Sequence, residues 1–230
     1  MPRSRPKNSR RYADAMAPRR RSLALAWAGL LSLALAVPAP ARADAQLEAG
    51  AKTFIESLAK QAIASLTDQK VARPDRIQKF RVLFNERFAV QTIGRWILAR
   101  YWKAATPDER KEYLKLFEDL MVVSYVDRFA EYAGESLTIV KTISETESTA
   151  TVFSRIERPT SSEGVRVDWR VGRRGDIYKI VDVVVEGTSM SNTLRSDFTS
   201  TIRQKGGTVA GLLEELRRKT ETLKQESQAK

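Results

Sequence analysis

The chain has 230 residues, a formal net charge of +12, and neither histidine nor cysteine. Those two absences exclude Ser-His-Asp triads, Cys-His nucleophiles, zinc sites built on nitrogen and sulfur, and disulfides. The basicity suggests a nucleic-acid partner only until the charges are placed along the chain.

Nine basic residues (Arg3, Arg5, Lys7, Arg10, Arg11, Arg19, Arg20, Arg21 and Arg42) and one acid, Asp14, fall within positions 1–43. The same stretch holds the apolar run Leu23–Val37, "LALAWAGLLSLALAV", and the small-x-small triplet Ala41-Arg42-Ala43. A basic start, an apolar middle and a small-residue cleavage site predict a secretory signal peptide, cut near Ala43/Asp44. The run is shorter than the roughly 20 residues a membrane-spanning helix needs. Residues 44–230 keep 31 basic against 27 acidic residues, a charge of only +4. They suit one compact exported domain held together by packing.

Helical spacing of Leu47, Ala51, Phe54, Ile55, Leu58, Ala62 and Leu66 predicts a first helix from about Ala45 to Leu66, interrupted before Pro74. Ile77, Phe80, Leu83, Phe84 and Phe88 predict a second helix, and Ile93, Trp96, Ile97 and Tyr101 a third. The fourth opens with Thr106 at the N-cap, Pro107 at the first helical position and Glu109 three residues after the cap, a capping box. Leu114, Phe117, Met121, Tyr125 and Phe129 mark its apolar face, and Gly134 its stop.

Beyond Gly134 the period changes to alternation. "SLTIVKTI", "TATVFSRI", "VRVDWRV" and "IYKIVDVVVEG" predict about four antiparallel strands, with Val165, Val167, Trp169 and Val171 on one face of the third. Helical spacing returns in "SNTLRSDFTSTIRQ" and "TVAGLLEELRRKTETL". Helices, then strands, then helices give an α+β fold, an antiparallel sheet covered by helices.

No catalytic constellation accompanies this layout. Ser57 and Lys60 match an S-x-x-K pair but sit in an ordinary amphipathic helix, with neither S-D-N nor K-T-G following. The clusters Arg173-Arg174 and Arg217-Arg218-Lys219 lack the interleaved stacking aromatics of a nucleic-acid face. The chain is expected to be no enzyme, to hold no metal or cofactor, and to bind no nucleic acid.

Two blocks carry a resemblance. "GRWILARYWKAATPDERKEYLKLFEDLMVVSYVDRFAEYAGES" (Gly94–Ser136) and "KIVDVVVEGTSMSNTLRSDFTSTIRQKGGTVAGLLEELRRK" (Lys179–Lys219) resemble the MlaC family of toluene-tolerance proteins. The shared pattern is an aromatic pair, an ATP-x-x-R helix start and an EGxSM strand ending. Thr188 departs from it, standing where an apolar residue is expected. The resemblance implies a curved sheet and helices enclosing an apolar lipid cavity, with bound phospholipid as cargo. It also implies a periplasmic carrier working between an inner-membrane ABC transporter complex with its MCE protein and an outer-membrane lipoprotein–porin complex, in maintenance of outer-membrane lipid asymmetry. A hopanoid-associated branch has similar sequences.

Under that resemblance the cavity wall is expected to include Ile97, Tyr101, Phe117, Met121 and Tyr125 from the helices. Val167, Trp169, Val171, Val181, Val183 and Val185 are its expected strand residues. The same residues are the natural core of any α+β domain, so a non-catalytic interaction module with a filled interior stands beside the carrier reading, as does an exported lipid hydrolase.

Overall fold

The structure, a computed structural model, describes residues 39–159 and 161–226. The expected signal peptide lies outside them except for residues 39–43, which open the first helix. Among the described residues are seven helices and one antiparallel sheet in strand order β1-β2-β3-β4-β5. No helix among them is long and apolar enough to cross a membrane.

Helix α1 (Ala39–Leu66) crosses the sheet and packs against α2 (Arg73–Arg87). Pro74 sits in the first turn of α2, where its missing N–H costs no hydrogen bond. The turn between them is fastened by the buried Arg76. Its Nε donates to Leu66 O (3.0 Å) and its Nη2 to Asp68 O (3.1 Å) and Val71 O (2.9 Å). The guanidinium satisfies the Leu66 carbonyl, which the end of α1 leaves without a helical donor, together with two carbonyls of the turn that follows.

The expected third helix is two: α3 (Val90–Leu98) and α4 (Arg100–Ala104). Ala99 breaks it with a φ of 52°. Its ψ of −125° is that of the first central position of a type II′ turn, where glycine is the usual residue, and no glycine or proline announces the break in the sequence. The break keeps Ile97 and Leu98 buried while Tyr101 and Trp102 lie half-buried at the surface.

Helix α5 (Pro107–Ala130) starts as its capping box predicts: Glu109 N donates to Thr106 Oγ1 (3.2 Å) and Thr106 N to Glu109 Oε2 (2.8 Å). It ends before Gly134, whose φ of 96° turns the chain into the sheet.

The strands β1 (Ser136–Thr146), β2 (Thr149–Arg158), β3 (Ser161–Arg174) and β4 (Ile177–Val185) form a meander, and the two-residue β5 (Thr188–Ser189) adds a fifth to the expected four. Glu186 (φ 48°) and Gly187 (φ 81°) make the two-residue turn into β5, which requires positive φ at both positions. Between β3 and β4 the register steps from Arg170↔Asp182 to Val171↔Ile180, so Val181 is a bulge residue without a partner. Helices α6 (Met190–Gln204) and α7 (Val209–Glu226) complete the chain, with α7 packed along α5.

Candidate apolar cavity

Helix α5 presents Tyr113, Phe117, Met121, Tyr125 and Phe129 as one stripe, each four residues from the last. At its first end the stripe meets solid packing. Tyr113 is fully buried, its hydroxyl donates to Gly94 O (3.0 Å), and Phe198 stands edge-on to its ring at 6.2 Å. Gly94 leaves no room there: a Cβ on it would lie 2.8 Å from Leu114 Cδ2.

From Phe117 onward the stripe borders a cavity of about 370 Å³, within the size range of small-molecule sites. Opposite it stand Ile55, Leu58 and Ala62 of α1 and Phe80, Leu83 and Phe84 of α2. The sheet contributes Leu137, Ile156, Trp169 and Val183, and α6 contributes Met190 and Leu194. The lining is almost wholly apolar. Its rim gathers Ile63, Thr67, Arg128, Tyr132 and Ser136, of which Ile63, Arg128 and Ser136 are exposed.

Burial in this wall raises the Tyr125 phenol above its ordinary pKa, and the positive charge of Arg128, stacked 6.0 Å from the ring centroid, opposes that rise. Trp169 keeps its indole N–H satisfied by donating to Ser154 Oγ (2.9 Å), so it turns only carbon toward the space. The one carboxylate deep in the wall, Asp182, is occupied. It accepts from Val183 N (2.9 Å), Ser189 Oγ (2.6 Å) and Ser191 N (3.1 Å), and Arg170 Nη1 lies 3.8 Å away. These bonds fix the start of α6, and with it Met190 and Leu194.

Of the residues expected along the wall, Phe117, Met121, Tyr125, Trp169 and Val183 lie on this cavity. Ile97 and Val171 are buried in the packed core, Val167 is buried outside both that core and the lining, and Val185 is half-buried outside the lining. Tyr101 follows the break at Ala99 and lies at the surface side of α4. Val181 is displaced by the bulge: Ile180 takes the core-facing position, and Val181 packs near Gly172 in a separate shallow groove. Thr188, the departure from the expected pattern, is exposed.

The α1 and α2 residues were visible as apolar faces but carried no mark that they stand across an open space. Phe129 was the one legible omission, since the stripe simply continues to it. Among the described residues no group of His, Cys, Asp or Glu side chains could hold a metal ion.

Comparison with protein families matches the MlaC protein family over residues 56–218. The chain belongs to the MlaC family. A solved structure from Ralstonia solanacearum, a phospholipid-binding protein in complex with a phospholipid, is similar to it with a TM-score of 0.67 and 19% sequence identity. The match covers 74% of this chain and 97% of that one. At that identity the likeness speaks for the fold, and the α+β arrangement of this MlaC-family chain is that of the Ralstonia protein.

Proposed function

We propose that this protein is a periplasmic phospholipid carrier that holds the acyl chains of its cargo in the α1–α2–α5–sheet cavity and leaves the headgroup at the rim. The observation that carries the reading is the almost wholly apolar cavity of about 370 Å³, in a chain of the MlaC family. The phospholipid held by the similar Ralstonia protein supports the cargo class.

The physical case is a transfer argument. Each exposed CH₂ costs about 0.8 kcal/mol in water, so an acyl chain with about 14 methylenes costs on the order of 10 kcal/mol to carry unprotected. A wall of Leu, Ile, Phe and Met side chains removes that cost without any reactive group, and a dry apolar space gains nothing from water. Arg128, Tyr132 and Ser136 at the rim offer polar contacts where the headgroup would emerge. The carrier performs no covalent chemistry. It is exported with removal of residues 1–43, and exchanges lipid with Mla-type partners, an inner-membrane ABC transporter complex and an outer-membrane complex.

Native mass spectrometry of the protein from a periplasmic fraction, followed by extraction of what is bound, tests this. A stoichiometric, intact phospholipid is the expected result. A hopanoid would replace the cargo class, and bare protein that takes up no added phospholipid would sink the reading. Release of fatty acid from bound lipid would show a hydrolase instead.

A further inference from the structure

Helices α3 and α6 each wall the cavity with one side, through Ile93 and Leu194. Their outer sides, together with α4, carry a cluster with no role in that cavity. Arg95, Arg100, Lys103, Arg195 and Arg203 are all exposed there. Among the described residues none of these five pairs with a carboxylate, unlike Arg73, Arg81, Arg166, Arg170, Arg217 and Arg218; Arg128, Arg155 and Arg174 also pair with none but lie scattered on other elements.

Aromatic rings take the place of the missing carboxylates. Arg195 lies over Trp96 at 4.8 Å, Arg100 over Tyr101 at 4.9 Å, and Arg95 over Trp102 at 5.9 Å, with Arg110 on the same indole at 5.4 Å. Arg100 also donates to the Tyr101 hydroxyl at 3.0 Å. A guanidinium stacked on a ring is held in position while its N–H groups remain free for an anion. The acids nearest in sequence do not neutralise the cluster. Glu109 is engaged by the backbone N–H of Thr106, and the exposed Asp108 and Asp197 form no ion pair with any of the five among the described residues.

We infer that this α3–α4–α6 face docks the protein on the surface of a membrane containing anionic phospholipid, with the arginines on phosphate groups and Trp96 entering the headgroup layer. Charge complementarity selects an anionic surface, and the kind of patch selects a membrane over an acidic protein. Protein interfaces centre on a packed apolar core with a polar rim. Among the described residues of this face Trp96 is the only exposed large apolar side chain, at 43% exposure, and Arg195 lies over its ring. Interleaved Trp, Tyr and Arg match the layered polarity of a headgroup region, which needs no fixed partner shape. The inference goes beyond the cargo reading, since a face can dock with the cavity full or empty.

Flotation of the protein from a periplasmic fraction with vesicles of phosphatidylcholine, with and without phosphatidylglycerol, tests it. Binding is expected only with phosphatidylglycerol present and falls as salt rises. Arg100→Glu with Arg195→Glu should weaken it by about tenfold or more, and Trp96→Ala should weaken it further. Lys70→Glu with Arg174→Glu, the same charge change on other faces, should leave it within about twofold of the parent, on the same per-charge scale. Equal loss in both double variants, or no flotation with anionic vesicles, overturns the inference. Native mass spectrometry of the same preparations reads cargo separately, so membrane binding by lipid-free protein and lipid occupancy without membrane binding each strike only one of the two readings.

Discussion

The two ends of the α5 stripe are built from the same kinds of residue and end in opposite situations. Around Tyr113 the ring is fully buried against Gly94 and Phe198. Around Met121, Tyr125 and Phe129 the stripe borders open space. Neither hydrophobicity nor spacing distinguishes the ends. What differs is the opposing surface: at Gly94 a missing side chain lets backbone close onto the helix, whereas α1, α2 and the sheet stop short of the other end. An apolar stripe records which side of a helix turns from water, and says nothing of how near the next surface stands.

The largest expected effect tests that difference in stability. Tyr113→Ala should cost about 3–5 kcal/mol by urea denaturation, as other large-to-small changes in solid cores do. Tyr125→Ala should cost about 1 kcal/mol, because its half-buried ring borders a space that already exists. Equal losses would break the comparison.

Filling the two ends should sharpen it. Gly94→Val forces atoms into Leu114 and should cost about 1–3 kcal/mol while leaving lipid occupancy unchanged. Val183→Trp should do the reverse, cutting phospholipid occupancy in native mass spectra several-fold for about 1 kcal/mol or less of stability. Val167→Trp looks equivalent in the sequence, but Val167 is buried away from the cavity. It should behave like Gly94→Val.

Alkaline pH gives a smaller contrast. Burial pushes the Tyr113 phenol well above its ordinary value. The neutral phenol's contribution is therefore complete below about pH 10 and is lost as pH rises past it, because the unfolded chain gives up the proton first. Urea midpoints at about pH 9 and 11 should differ less in Tyr113→Phe, which also forgoes about 1 kcal/mol with the Gly94 hydrogen bond. A parent midpoint that does not fall over this range would contradict the buried environment. Smallest of all, Thr220→Val should stabilise the protein by up to about 1 kcal/mol. The Thr220 hydroxyl is buried on α7 without a hydrogen-bond partner among the described residues, and an unchanged urea midpoint would count against that account.

Local chemistry explains which parts of this structure were legible in the sequence. The capping box at Thr106 and Glu109 fixed the start of α5 to the residue, because both halves of that motif lie within one turn. Strand alternation placed Trp169 and Val183 correctly on one face. It failed at the bulge residue itself, where the phase of β4 reverses and Ile180 takes the place assigned to Val181. Ala99 hid the α3–α4 break because alanine usually favours continuing a helix. The cavity itself depends on distances between α5, α1, α2 and the sheet, which no periodicity encodes.

Asp182 sets a constraint on chain length. Its carboxylate gathers donors from residues 183, 189 and 191, closing the Glu186–Gly187 turn and the start of α6 into a loop of fixed contour. One inserted residue there would slide Met190 and Leu194 off the cavity wall, even if every side chain stayed the same. The β3–β4 turn at Gly175 and Asp176, at the opposite end of β4, lies outside that loop. Length variation is therefore tolerable at one end of the sheet and disruptive at the other.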